Sequence, residues 1–109
     1  MNPGDVVLIR FPFDDVEDYK QRPVLVISVV SDVPDPDLIV LQITSSEARI
    51  RDLKDGDVYT EDPVLPKPSV IRCRKVFSLR SSSVLRRLGT ISYDVFDDSK
   101  EKLRALLAL

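Results

Sequence analysis

Two short, almost unbroken apolar runs limit what this chain can fold into. They are Val24-Leu25-Val26-Ile27, reaching Val29-Val30 after one serine, and Leu38-Ile39-Val40-Leu41, reaching Ile43-Thr44 after one glutamine. Both are rich in Val and Ile, whose branched β-carbons suit a pleated surface. Runs of this length and composition predict strands covered on both faces, and so strands in the middle of a sheet. Between them, residues 31–37 hold two prolines and three aspartates and read as a turn. Further strands are expected at residues 6–11, 58–61 and 70–79. Residues 54–57 form a second turn, and the three prolines of residues 62–68 predict a packed loop. Residues 83–88 are expected as a short helix closed by Gly89. Residues 93–107 predict a terminal helix with Phe96, Leu103, Leu106 and Leu107 on one stripe. The sum is a mostly β fold: a small, curled, largely antiparallel sheet with a C-terminal helix, in one domain spanning residues 1–109.

Composition narrows the chemistry. The chain has no histidine and a single cysteine, Cys73. It therefore lacks the commonest general acid–base and the commonest metal ligand, and it cannot form an internal disulfide. No cofactor or metal is expected, and a reducing, cytoplasmic compartment is. No stretch is apolar for long enough to span a bilayer. Asp5 precedes any positive residue, so a signal peptide is not expected.

The net charge is −2, yet the charges are segregated. Residues 1–66 carry 6 Lys/Arg against 14 Asp/Glu, while residues 67–87 carry 7 Lys/Arg and no acid. A local basic surface can hold phosphate on a molecule that is negative overall. Within it, Arg72-Cys73-Arg74-Lys75 sits in an expected strand, where Arg72 and Arg74 would share one face. That face reads either as a solvated basic surface or as one that contacts RNA. Cys73 reads as a small buried residue.

Arg22-Pro23 stands directly before the first apolar run. Proline restricts Arg22 to an extended conformation, which presents a permanent cation at the mouth of a loop. Such an arginine is either a solvated surface residue or a phosphate ligand. The loop before it, residues 14–21, contains Asp14, Asp15, Glu17 and Asp18 beside Tyr19, Lys20 and Gln21. Tyr19 could stack on a base and Lys20 neutralise a phosphate. Asp14, Asp15 and Asp18 could instead hold a loose Mg²⁺ or Ca²⁺, although their spacing matches no EF-hand.

The layout GDVVLIRFPF…QRPVLVIS resembles the opening of the MazF/PemK (Kid) family of toxins from toxin–antitoxin systems. Leu38 to Ser45 resembles that family's third strand, which ends in Thr-Ser, and Ser69 to Leu79 resembles its late strand. The resemblance runs in order over nearly the whole chain. It implies an SH3-like barrel with appended helices, as in MazF and the gyrase poison CcdB. It also implies a metal-independent endoribonuclease (an mRNA interferase) that cuts single-stranded RNA by 2′-hydroxyl attack. By the same resemblance, Arg22 and Thr44 are the catalytic pair, with Ser45 a nearby RNA contact. The Kid branch has Arg-Cys-Asp-Gln where this chain has Arg72-Cys73-Arg74-Lys75. The acid–base role of that aspartate therefore does not transfer, and Arg72, Arg74 and Lys75 are expected as phosphate contacts. The implied partners are a second copy of the chain, joined through apolar residues 103–109, and an antitoxin with an acidic disordered segment. The competing expectation is a non-catalytic relative on the same scaffold, such as a CcdB-like gyrase inhibitor. A peptide-binding SH3-like module fits less well, since the chain has no Trp, three Tyr and four Phe.

Overall fold

A computed structural model describes residues 1–10, 21–31 and 33–109. Among these residues six strands, β1 (Asp5–Arg10), β2 (Gln21–Val30), β3 (Asp37–Thr44), β4 (Asp57–Thr60), β5 (Ser69–Arg80) and β6 (Val84–Thr90), form one sheet in the order β4-β5-β3-β2-β1-β6. Every pairing is antiparallel. The two apolar runs are β2 and β3, adjacent and interior, as their composition predicts. The α-helices among the described residues are α1 (Glu47–Arg51) and α2 (Tyr93–Leu107).

Alternation along the strands divides the apolar residues between two cores. Val6, Leu25, Leu41, Ile43, Ile71 and Cys73 face one way, under Val95, Phe96, Leu103 and Leu106 of α2. Val7, Ile9, Val24, Val26, Leu38 and Val40 face the other way. The second core is covered by the sheet itself: Phe77 and Leu79 of β5 and Val84 of β6 fold over it. Only the turn Ser81–Ser83 separates β5 from β6, although the two strands lie second and last in the sheet. So short a link requires a strongly curled sheet.

Irregular register supplies the curl. Arg72 is opposite Gln42 while Val76 is opposite Leu41, so residues 73–75 are extra on β5. This bulge reverses the faces of the strand. Ile71 and Cys73 pack in the first core, whereas Phe77 and Leu79 pack in the second. A smaller shift between Val26 and Ser28 does the same for β2. The mostly β fold with a C-terminal helix is as expected. The barrel stays open, with β4 and β6 as its two edges.

Two expectations need correction. Residues 83–88 form no α-helix; Ser83 ends a single 3-10 turn, and from Val84 onward they are β6, paired with β1 from Ile9–Val84 to Asp5–Thr90. The four-residue spacing of Val84 and Leu88 suits a helix. Pairing, however, satisfies the outer backbone groups of β1, whose residues Val6, Val7 and Ile9 are buried. On α2, Phe96, Leu103 and Leu106 pack on the core as the stripe requires, but Leu107 is 53% exposed. The stripe is in phase and outruns the face it covers.

Candidate nucleic-acid site

Antiparallel pairing brings the start of β2 and the end of β3 together. Val24 is opposite Gln42 in the terminal pair of that ladder, and Arg22 and Thr44 each stand two residues beyond it, at the same end of the sheet. Arg22 lies within β2, opposite Ile9 of β1, one step inside the strand rather than in a loop. Pro23 precedes the first pair with β3, so its missing N–H costs that ladder nothing.

Arg22, Thr44 and Ser45 line one cleft of about 720 Å³. Its other walls are the 63–67 loop, Ser46, Ser69 and residues of β1 and β6, including Leu8 and Arg86. Among the described residues, Arg22, Lys67 and Arg86 are its cations, and no carboxylate lines it. Thr44 Oγ1 accepts the Ser46 N–H at 3.2 Å, which leaves the hydroxyl proton for an outside acceptor. Asp62 fixes the loop wall: its carboxylate accepts the Val64 and Ser92 N–H groups, both at 2.9 Å. Burial works to raise the pKa of Asp62, but these donors outweigh it and hold the carboxyl below its ordinary range.

A second cleft, of about 290 Å³, adjoins the first, sharing Thr44 and Ser46. Arg49, Lys54, Arg72, Ala48 and Asp52 complete it. Ser46 caps α1, accepting the Arg49 N–H at 3.4 Å, and so starts that short helix just after the end of β3. Arg72 is half-buried and donates from Nη1 to Gln42 Oε1 at 3.3 Å. Burial lowers its pKa, the neighbouring Arg49 lowers it further, and Asp57 opposes both.

The expected site residues therefore separate. Arg22, Thr44 and Ser45 meet in the first cleft, and Arg72 is in the second. Arg74 and Lys75, in the bulge of β5, are exposed and line neither; Arg74 lies 3.9 Å from Asp55. Tyr19, Lys20 and the acidic residues 14–18 lie outside the described residues. Cys73 is buried, donates to the Ser99 carbonyl at 3.5 Å, and has its thiol pushed up to about 11 by burial. Arg87 is committed to Asp5 at 3.2 Å. Sequence reading passed over Arg49 and Lys54. The signal was present, because Ser46 followed by Glu47-Ala48-Arg49 is a helix start directly after Thr44. Among the described residues, no group of three or more His, Cys, Asp or Glu could hold a metal ion, and no helix is long and apolar enough to cross a membrane.

Several solved structures share the fold. MazF from Deinococcus radiodurans is 19% identical, with 100% of this chain and 97% of that one covered, at a TM-score of 0.75. The Mycobacterium tuberculosis toxin MazF-mt6 is 18% identical, with 96% and 97% covered, at 0.70. An endoribonuclease from a mycobacterial species, solved with its cognate antitoxin, is 16% identical, with 97% and 93% covered, at 0.71. No curated protein matches the sequence. The family model for the PemK-like, MazF-like toxin of type II toxin–antitoxin systems matches residues 2–107, and the chain belongs to that family.

Proposed function

We propose that the protein is a toxin endoribonuclease that cuts single-stranded RNA in the first cleft without a metal. The observation that carries this reading is that Arg22 and Thr44 line one cleft together with Lys67 and Arg86, and that no carboxylate among the described residues lines it. In the reaction, a ribose 2′-hydroxyl oxygen attacks the adjacent phosphorus and the bond from phosphorus to the 5′-oxygen breaks. The products are a 2′,3′-cyclic phosphate and a 5′-hydroxyl. The 2′-hydroxyl gives its proton to water and the leaving 5′-oxygen takes one from water. Negative charge grows on the non-bridging oxygens as the fifth bond forms. Arg22 opposes that charge and Thr44 donates its O–H to it. A guanidinium keeps its proton in proteins, so Arg22 acts by holding charge. Donors aimed at charge that develops only in the transition state are often the largest catalytic contribution.

Ser45 contacts the same phosphate region, with Arg72 further along the strand. Arg74 and Lys75 are assigned to RNA contacts outside the two clefts, and Tyr19 and Lys20 to further RNA contacts. The protein acts as a homodimer in the cytoplasm. A cognate antitoxin silences it by laying an acidic disordered segment over the basic clefts, ordering as it binds. One of the similar structures is itself a complex of an endoribonuclease with its antitoxin.

The test is digestion of a long mixed-sequence RNA in EDTA, beside Arg22→Ala. Discrete cuts bearing 5′-hydroxyl ends, lost in the variant, are expected. Intact RNA after incubation with well-folded wild-type protein would sink the reading.

A further inference from the structure

The cations of the second cleft have no part in the bond-breaking chemistry, and they come from three separate elements. Arg49 comes from α1, Lys54 from the turn before β4, and Arg72 from β5. We propose that Arg49, Lys54 and Arg72 form a phosphate subsite that holds the RNA backbone beside the scissile bond. This rests on the reading of the first cleft as the place of cutting.

Three observations support it. First, Thr44 and Ser46 line both clefts, so a strand leaving the first cleft at the end of β3 passes directly into the second. Second, the cations are held in place. Arg72 is fixed by Gln42, and Arg49 lies 3.7 Å from Asp57, whose side chain is only 3% exposed. The same Asp57 carboxylate accepts the Lys54 N–H at 2.8 Å, fixing the turn that carries this lysine. Asp57 therefore serves the frame and does not line the cleft. Third, the one carboxylate among the described residues that does line the cleft is on its rim. Asp52 pairs with Lys54 at 2.7 Å, but its side chain is 71% exposed, and exposed pairs are weak enough for a phosphate to replace. Two neighbouring guanidiniums and an ammonium facing one displaceable acid favour an anion. A guanidinium recognises a phosphodiester through paired donors.

The competing explanation is a latch, in which the Arg49–Asp57 and Lys54–Asp52 pairs only tie α1 to β4. Salt dependence separates the two, because each cation that neutralises a phosphate releases counterions. The probe is a short fluorescent 2′-O-methyl RNA of mixed sequence, which cannot be cut, with affinity measured across a salt series. In Arg49→Gln/Lys54→Gln, the slope of log affinity against log salt is expected to become shallower by about 1.4, or about 0.7 per lost contact. Affinity at about 0.1 M salt should fall about 25-fold. Lys54→Gln alone should show about half the change in slope, and Arg104→Gln, which lines neither cleft, should show none. Arg49→Lys with Lys54 intact should keep the wild-type slope. An unchanged slope in the double variant, with wild type binding normally, overturns the subsite and leaves the first cleft's role standing. Loss of affinity in Arg49→Lys equal to that of the double variant also overturns it, as a latch. Wild-type protein that binds no RNA at low salt overturns both readings.

Discussion

Thr44 is the residue at which structure and chemistry meet most closely. It ends β3, lines both clefts, and accepts the Ser46 N–H through the same oxygen that would donate to phosphate. Its replacement therefore has two effects that must be kept apart. Thr44→Val keeps the shape but removes the hydroxyl, which costs the Ser46 N–H its acceptor and the transition state one donor. The first loss is worth about 1 kcal/mol of stability. The second should lower kcat by about 10²-fold, as loss of one preorganised donor does elsewhere. Thr44→Ser keeps the oxygen for both tasks and should stay within about tenfold of wild type. Single-turnover cleavage combined with a urea melt checks this. If Thr44→Ser falls as far as Thr44→Val, the hydroxyl is not the operative group.

At the scale of elements, the sequence foretold what depends on composition and missed what depends on neighbours. β2 and β3 are legible because Val and Ile runs of that length have few other destinations, and α2 because its stripe repeats at helical spacing. β6 was misread because Val84-Leu85-Arg86-Arg87-Leu88 has no alternation, and only the open edge of β1 makes it a strand. The bulge at residues 73–75 was invisible for a related reason. Strict alternation places Arg72 and Arg74 together, whereas the inserted residues leave Arg72 in a cleft and Arg74 outside it. Of the site, Arg22 and Thr44 were named by family resemblance, and the structure adds that both line one cleft. The turn at Lys54–Asp57 was legible, and its backbone favours glycine. Gly56 has φ +86°, and a Cβ there would lie 2.8 Å from Leu106 Cδ1 of α2. Gly56→Ala should cost about 1–2 kcal/mol from backbone strain, since the flexible end of Leu106 can give way. A urea midpoint equal to wild type would mean that the turn relaxes to another conformation.

For the whole molecule, a net charge of −2 conceals two clefts whose linings carry six cations against one carboxylate among the described residues. An acidic antitoxin segment and an RNA backbone would compete for the same surface, and the remaining acidic surface would repel RNA elsewhere. Assembly acts at the same scale. Leu103 and Leu106 are spent on the protomer's own core, but Leu107 is 53% and Leu109 86% exposed at the end of α2. If these leucines form the twofold contact, an exposed side chain contributes nothing to the protomer and much to the dimer. Leu107→Asp should then leave the protomer's stability within about 0.5 kcal/mol, as surface changes do. It should remove about 1.5–3 kcal/mol of burial from each of two symmetric positions, weakening the dimer by about 10²- to 10⁴-fold. Sedimentation at micromolar concentration should report about 25 kDa for wild type, twice the 12.3 kDa of one chain, and one-chain mass for the variant. Wild type that sediments as a single chain removes the dimer. A variant that stays dimeric moves the contact away from α2 and onto another face, with the β4 and β6 edges the next surfaces to substitute.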